Sequence, residues 1–365
     1  MSRAWIDGKP VARDAASAEA AKLLGASRLP LVAGLATDVA GARAAVALAE
    51  RLGGVVDHLD SDSLITGVTV LAESGTFQTT ASEARIRADF FLLIGAAPAN
   101  APPGFLDFLF GASQPNAGRR VVWLCPGRAR AAFPGRVDVQ RIGGDPGELP
   151  ILFGALRACI GGRPVGATRP SARTLDALAG DLKAARFGVA LWSASGLDAL
   201  TIEMLCGLVN DLNGATRFTG LPLPSGDNGP GVLEVCGWMS GFPVRTGFGR
   251  GYPEHDPWRF DGRRLVDSGE ADCVLWISAY RAAAPDWAQD VPTIALARSG
   301  THFRAVPRVH FEVGGPGIDH DSVEHIATTG MLGAVAASRP GEAPSVADVV
   351  AEIAAALPDS GARPC

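Results

Sequence analysis

Four polar side chains leave one short apolar run together: Asp57, His58, Asp60 and Asp62 in "DHLDSDS" (57–63). Carboxylates beside an imidazole at the carboxyl end of a strand are the raw material of general acid–base chemistry, because catalytic groups of α/β proteins gather there. The sequence adds neither a nucleophile nor a second acid–base cluster, so the segment is read as a capping and turn segment. A second group, "HFEVGGPGIDHDSVEH" (310–325), brings His310, His320 and His325 near Glu312, Asp319, Asp321 and Glu324. Helical metal ligands need one face. Here His320 and His325 are five apart and Gly314-Gly315-Pro316-Gly317 breaks the segment, so it is read as a solvated loop.

A third candidate is the glycine-rich "GFGRGYP" (247–253), which would cradle a phosphate if it followed a strand and opened a helix. Tyr252-Pro253 and "EHDPWRF" do not start a helix, which leaves a structural loop, with Arg245 and Arg250 still able to meet an anionic ligand or partner. No G-x-S-x-G elbow exists, and "SASG" (193–196) and "LPSGDNG" (223–229) read as loops. The six cysteines, Cys125, Cys159, Cys206, Cys236, Cys273 and Cys365, lie far apart, as buried free thiols do and zinc or iron–sulfur ligands do not. No metal site and no catalytic residue is assigned.

The elements that must position these groups alternate. Apolar runs at 29–35, 54–59, 89–96, 120–127 and 136–143 alternate with a helical pattern over 38–52, which Asp38 can cap. Helices over 147–160 and 171–185, a strand over 186–194 and a helix over 198–214 follow. The last carries Leu200, Met204, Leu205, Leu208, Val209 and Leu212 on one face, with Gly214 as its stop. Strand-like runs at 272–280, 291–299 and 308–315 and a helix over 345–357 complete the chain. Continuous apolar runs between amphipathic helices mean parallel strands buried on both faces. The expected fold class is α/β, with two Rossmann-like lobes, 1–160 and 161–365, elements being free to cross between them. No residue-level internal repeat is found.

Composition narrows the partners. In 365 residues the net charge is −5, and basic residues are scattered singly, which argues against nucleic acid. No stretch approaches the ~20 apolar residues of a membrane span and no leader pattern opens the chain, so a cytoplasmic protein is expected.

Read in order, "WIDGKPV" (5–11), residues 29–58, "FQTTASEARIRADFFLLIGAAPANAPP" (77–103), "FGRGYPEHDPWRF" (248–260) and "LVDSGEADCVLWISAYRAAAPDW" (265–287) resemble the B subunit of formylmethanofuran dehydrogenase. That family is similar to molybdopterin-class formate dehydrogenases. The most telling pieces are T-T-x-x-E-x-x-x-R-A-D (79–89) and R-G-Y-P (250–253). The resemblance implies a molybdopterin-oxidoreductase-like fold. It also implies what is missing: the redox-active members carry a cysteine-rich iron–sulfur segment and a cysteine or selenocysteine ligand to tungsten or molybdenum after the second strand. Here the iron–sulfur segment is lacking, and after Asp57-His58 comes "LDSDSLITGVTVLAES", without a sulfur ligand. The pterin loops of the family, G-x-N-P with His-Pro and S-D-P, stand here as Gly95-Ala96-Ala97-Pro98, Ala101-Pro102-Pro103 and Ser278-Ala279-Tyr280, each poorer in hydrogen-bonding groups.

The shortened, ligand-free version resembles the B subunit of the bacterial formyltransferase/hydrolase complex. That resemblance implies a non-redox, catalytically silent subunit with three partners: a zinc-containing amidohydrolase-like A subunit, a C subunit and a formyltransferase D subunit. The complex moves formyl from formyl-tetrahydromethanopterin to a methanofuran-type coenzyme and hydrolyses it to formate, and this chain is expected to bind no cofactor itself. Arg245, Arg250 and Arg281 are the candidate contacts to an acidic coenzyme tail or to a partner, since guanidinium groups pair with carboxylates bidentately. Two alternatives stay open: a redox-active dehydrogenase B subunit with a tungsten or molybdenum pterin, and a stand-alone nucleotide-binding protein.

Overall fold

The computed structural model describes residues 3–111, 118–134, 137–166, 169–287 and 291–358. The chain forms two compact units, the first from residues 1–61, 226–325 and 332–365, the second from 62–225 and 326–331. The expected division at 160/161 is therefore corrected. Strands Phe187–Trp192 and Arg217–Pro222 pair in one sheet with Phe90–Ile94, whereas Pro30–Ala36 pairs with Cys273–Ser278, so both units are assembled from distant stretches of chain.

The sheet of the first unit has nine strands. From edge to edge these are Glu254–His255, Thr246–Gly247, Val55–Val56, Pro30–Ala36, Cys273–Ser278, Thr293–Ala297, Val309–Glu312, Ala4–Ile6 and Lys9–Pro10. The middle five are parallel, and antiparallel pairs close both edges. Every residue of Pro30–Ala36, Cys273–Ser278 and Thr293–Ala297 is buried, which is why these strands read as unbroken apolar runs. Helix Val39–Leu52 starts where Asp38 accepts the Gly41 N–H at 3.0 Å and stops at Gly53, whose φ of +69° is the left-handed region that glycine enters freely. On the opposite face Phe260, Leu265 and Val266 pack on Leu31, Ala33, Val55 and Trp276.

The second unit has five parallel strands in the order Val139–Ile142, Arg120–Leu124, Phe90–Ile94, Phe187–Trp192, Arg217–Pro222. Alternation along Phe90–Ile94 feeds two cores. Phe90, Leu92 and Ile94 pack with Leu152, Phe153 and Leu205 on one face; Phe91 and Leu93 pack with Ala84, Leu109 and Phe110 on the other. Helix Ala199–Leu212 is capped by Asp198 and buries Ile202, Leu205, Leu208, Val209 and Leu212. The expected face holds except at Leu200, which is exposed, and Asn213, not Gly214, caps the helix. At Gly188 an added Cβ would lie 2.1 Å from the buried Phe218 ring. Gly188→Ala is expected to cost about 1–3 kcal/mol through overpacking, read as a lowered thermal midpoint; an unchanged midpoint would show that the ring swings aside.

The two sheets share one plan. In the first, Val55–Val56, Pro30–Ala36, Cys273–Ser278, Thr293–Ala297 and Val309–Glu312 lie side by side; in the second, Arg217–Pro222, Phe187–Trp192, Phe90–Ile94, Arg120–Leu124 and Val139–Ile142 do. The central strand of each opens on Ala-Asp, Ala271-Asp272 and Ala88-Asp89. A repeat thus exists, hidden because the strand–helix–strand piece precedes the central strand in one unit and follows it in the other. No described helix is long and apolar enough to cross a membrane.

Candidate functional site

The parallel strands of the first unit deliver their polar residues at their carboxyl ends, where α/β proteins bind ligands. Strand Val55–Val56 is followed by Asp57 and His58, both buried. The Asp57 carboxylate accepts the Gly262 N–H at 2.8 Å and the Ser61 hydroxyl, and lies 3.5 Å from Arg245 Nε. Arg245 also holds Asp261 at 2.5 Å and donates to the Pro257 carbonyl at 2.9 Å. Burial pushes the Asp57 carboxyl up to about 6, against Arg245, Ser61 and Gly262, which favour its ionised form.

His58 is fixed by its neighbours. Its N–H donates to Ser61 Oγ at 2.9 Å and its Nδ1 accepts the Asp60 N–H at 3.0 Å, which puts the ring proton on Nε2. Burial holds the imidazole down at about 4, so it is neutral. Its Nε2 meets no hydrogen-bond geometry among the described residues. Close by, Arg281 Nε pairs with Asp227 at 2.7 Å. Burial raises the carboxyls of both Asp60 and Asp227, and Arg281 partly offsets this.

Asp227 and Asn228 adopt left-handed φ values of 53° and 58°. Asn228 Nδ2 donates to the Thr37 carbonyl at 2.9 Å and its Oδ1 accepts the His325 N–H at 2.8 Å. The end of strand Pro30–Ala36 is thereby tied to the strand Ser322–Ile326. After Cys273–Ser278, Ser278 Oγ donates to the Arg281 carbonyl at 2.7 Å, and the Tyr280 hydroxyl, pushed up by burial, donates to Glu324.

Of the three candidate arginines, the structure brings Arg245 to Asp57 and Arg281 to Asp227, while Arg250 stands exposed beside Glu254 at 3.1 Å. The three histidines do not converge. His310 stacks on Trp5 with centroids 5.0 Å apart, His320 Nδ1 contacts the Asp321 carbonyl, and His325 faces Glu234. The start of that segment is the strand Val309–Glu312, within the run expected at 308–315, whereas Ser322–Ile326, read as part of a solvated loop, is instead strand. Among the described residues no three His, Cys, Asp or Glu are placed to hold a metal ion. Cys125, Cys159, Cys236 and Cys273 are buried, Cys206 is half-buried, and Cys365 lies outside the described residues.

"DHLDSDS" does turn, with Ser61 Oγ accepting the His58 N–H, yet it also plants a buried carboxylate that reaches Gly262 and Arg245. Sequence reading missed Asp227, Asn228 and Asp261. The left-handed turn was signalled by the D-N-G composition, but its burial has no local signature. In the second unit, "GAAPANAPP" closes on itself: Trp123 Nε1 donates to the Gly95 carbonyl at 2.7 Å, and Asn100 N–H donates to the Ala96 carbonyl at 3.1 Å.

No family model matches the chain. It is 35% identical over 364 residues, 98% of this chain and 97% of the relative, to the B subunit of the formyltransferase/hydrolase complex Fhc of Methylorubrum extorquens. It is 28% identical over 290 residues to the B subunit of the tungsten-containing formylmethanofuran dehydrogenase 2 of Methanocaldococcus jannaschii, covering 75% of this chain and 65% of that one. Among solved structures it matches, with a TM-score of 0.85 and 34% identity over 96% of this chain and 97% of the other, a chain of the formyltransferase/hydrolase complex FhcABCD from Methylorubrum extorquens in complex with methylofuran. With that identity sustained over nearly the full length of both chains, this protein belongs to the family of B subunits of the formyltransferase/hydrolase complex.

Proposed function

We propose that the chain is the B subunit of such a complex, a non-redox and catalytically silent companion of an amidohydrolase-like A subunit, a C subunit and a formyltransferase D subunit. The assembly transfers a formyl group from formyl-tetrahydromethanopterin to a methanofuran-type coenzyme and hydrolyses it to formate. The observation that carries the reading is the Asp57–Arg245–Asp261 network at the end of strand Val55–Val56. In redox relatives a sulfur ligand is expected there; here a carboxylate spends its acceptors on Ser61, Gly262 and Arg245.

The donor set does not fit tungsten or molybdenum, which need thiolates. Cys236, whose thiol feels the Asp57 charge, is pushed up to about 12, chiefly by burial, and burial likewise pushes Cys125 and Cys206 to about 11 and Cys273 to about 12. These are protonated thiols at neutral pH. Arg250 and Arg281, with side chains 58% and 54% exposed, keep guanidinium N–H groups for an acidic coenzyme tail or a partner. Arg245, 12% exposed, is assigned to the scaffold.

Affinity purification of the chain from its host is expected to bring down three further subunits, and metal analysis of the complex to find no stoichiometric tungsten or molybdenum. Either metal at one atom per copy of this chain would overturn the non-redox reading.

A further inference from the structure

The first unit contains a cleft of about 290 Å³ that the network around Asp57 does not use. It opens at the carboxyl ends of two adjacent parallel strands, Thr293–Ala297 and Val309–Glu312, the end of a parallel sheet where ligands bind. Arg298 follows the first strand directly. Its guanidinium lies against Gly315, where an added Cβ would come within 3.1 Å of the Arg298 Cζ, and one of its nitrogens donates to the Tyr280 carbonyl at 3.1 Å. A guanidinium has five N–H groups, so this anchor leaves donors to spare.

Two guanidinium groups without an ion pair meet in this cleft. Arg28, Arg245, Arg264 and Arg281 of the same unit each hold a carboxylate within 4 Å. Arg298 and Arg339, both lining the cleft, hold none among the described residues. On the facing wall Glu312 is taken by Arg3 at 2.5 Å, and Asp319 accepts the Gly315 N–H at 2.7 Å. Glu342 makes no ion pair or hydrogen bond among the described residues. The cleft therefore offers two guanidinium groups and two carboxylates without an ion pair, Glu342 and the Asp319 that Gly315 N–H holds, in a volume at the lower end of small-molecule sites.

We propose that this cleft binds an amino-acid-sized ligand bearing a carboxylate and an N–H donor, the carboxylate held by Arg298 and Arg339 and the donor by Glu342. The site stands independently of whether the subunit is redox-silent. Free amino acids carry both groups and an acidic coenzyme tail supplies the carboxylate; only the second source rests on the reading above.

Isotopically labelled L-glutamate titrated into the purified complex is expected to bind saturably, and cadaverine, which has N–H donors but no carboxylate, is not. Arg339 is exposed and its side chain makes no hydrogen bond or ion pair among the described residues, so Arg339→Ala is expected to weaken glutamate binding about tenfold while the protein stays folded. Glu342→Gln weakens glutamate but leaves acetate, which has no N–H donor, unchanged. Absence of saturable glutamate binding, equal binding of cadaverine, or identical affinity in Arg339→Ala would overturn the proposal. Competition by purified methanofuran-type coenzyme assigns the site to the coenzyme tail; glutamate binding without that competition assigns it to a free amino acid. Metal analysis does not bear on any of these readings, so failure here is distinguishable from failure of the non-redox assignment.

Discussion

Replacing Arg245 by alanine is expected to destabilise the protein by about 3–5 kcal/mol at pH 8, because it strips a buried carboxylate of its cation. The Asp57 and Arg245 side chains are 11% and 12% exposed, so solvent screens little of the interaction. The loss should depend on pH. Asp57 has an ordinary value of 3.8 and sits at about 6 in the fold. A carboxyl raised in this way favours the folded state when protonated: its contribution is most favourable below about pH 4 and is lost as pH rises through 6, about 3 kcal/mol in all. Without Arg245 the carboxyl moves higher still, and the penalised window extends above pH 7. Urea unfolding should therefore show a large deficit for Arg245→Ala at pH 8 and a small one at pH 5. Equal deficits at both would mean that the loss comes from the other Arg245 contacts, to Asp261 and the Pro257 carbonyl. Adding Asp57→Asn to Arg245→Ala should recover much of the deficit at pH 8, since a neutral amide leaves no uncompensated charge buried.

This network was only half legible in the sequence. Parallel strands were readable because Phe90–Ile94 and Cys273–Ser278 are buried on both faces and so carry no polar alternation. Helix Val39–Leu52 was readable because its cap and its stop are local, at Asp38 and Gly53. The helices Ser61–Ser74, Ala81–Arg87 and Gly229–Ser240 were not. The first begins inside a run of acids and serines that reads as a turn, the second is seven residues long, and the third holds three glycines. The candidate site resisted for a different reason. Asp57, Arg245, Asp261 and Gly262 meet across some two hundred residues of chain, and no spacing rule reaches that far. What the T-T-x-x-E-x-x-x-R-A-D segment does was equally hidden: Thr80 caps helix Ala81–Arg87, Thr79 and Arg87 hold Glu83, and Asp89 reaches a strand almost a hundred residues away. A family signature can thus consist of scaffold.

Asp89 and Asp272 yield the second large effect, and they explain how two sheets with permuted chain order keep one plan. The Asp272 carboxylate accepts the Arg28 and Leu29 N–H groups at 3.1 and 3.2 Å and the Ser27 hydroxyl. Asp89 accepts the Arg186 and Phe187 N–H groups at 3.1 and 3.0 Å. Each carboxylate, placed just before a central strand, thus fixes the residues that lead into the neighbouring strand and so its register. Asp272→Ala and Asp89→Ala are each expected to cost about 2–3 kcal/mol, the scale of hydrogen bonds to a charged group, and they share no partner, so the losses should add. The pH signature is opposite to that of Asp57. Burial pulls the Asp272 carboxyl up, but the bonds from Ser27, Arg28 and Leu29 outweigh it and hold it at about 2, below its ordinary 3.8. Its contribution is complete above about pH 4 and is lost as pH falls toward 2, so the Asp272→Ala deficit should vanish in that window. Arg28 separates the causes. Its side chain is 84% exposed, and an exposed ion pair is worth at most about 1 kcal/mol, so Arg28→Ala, which keeps both backbone N–H donors, should cost far less than Asp272→Ala. If the two variants lose equally, the ion pair and not the backbone clamp holds the strand.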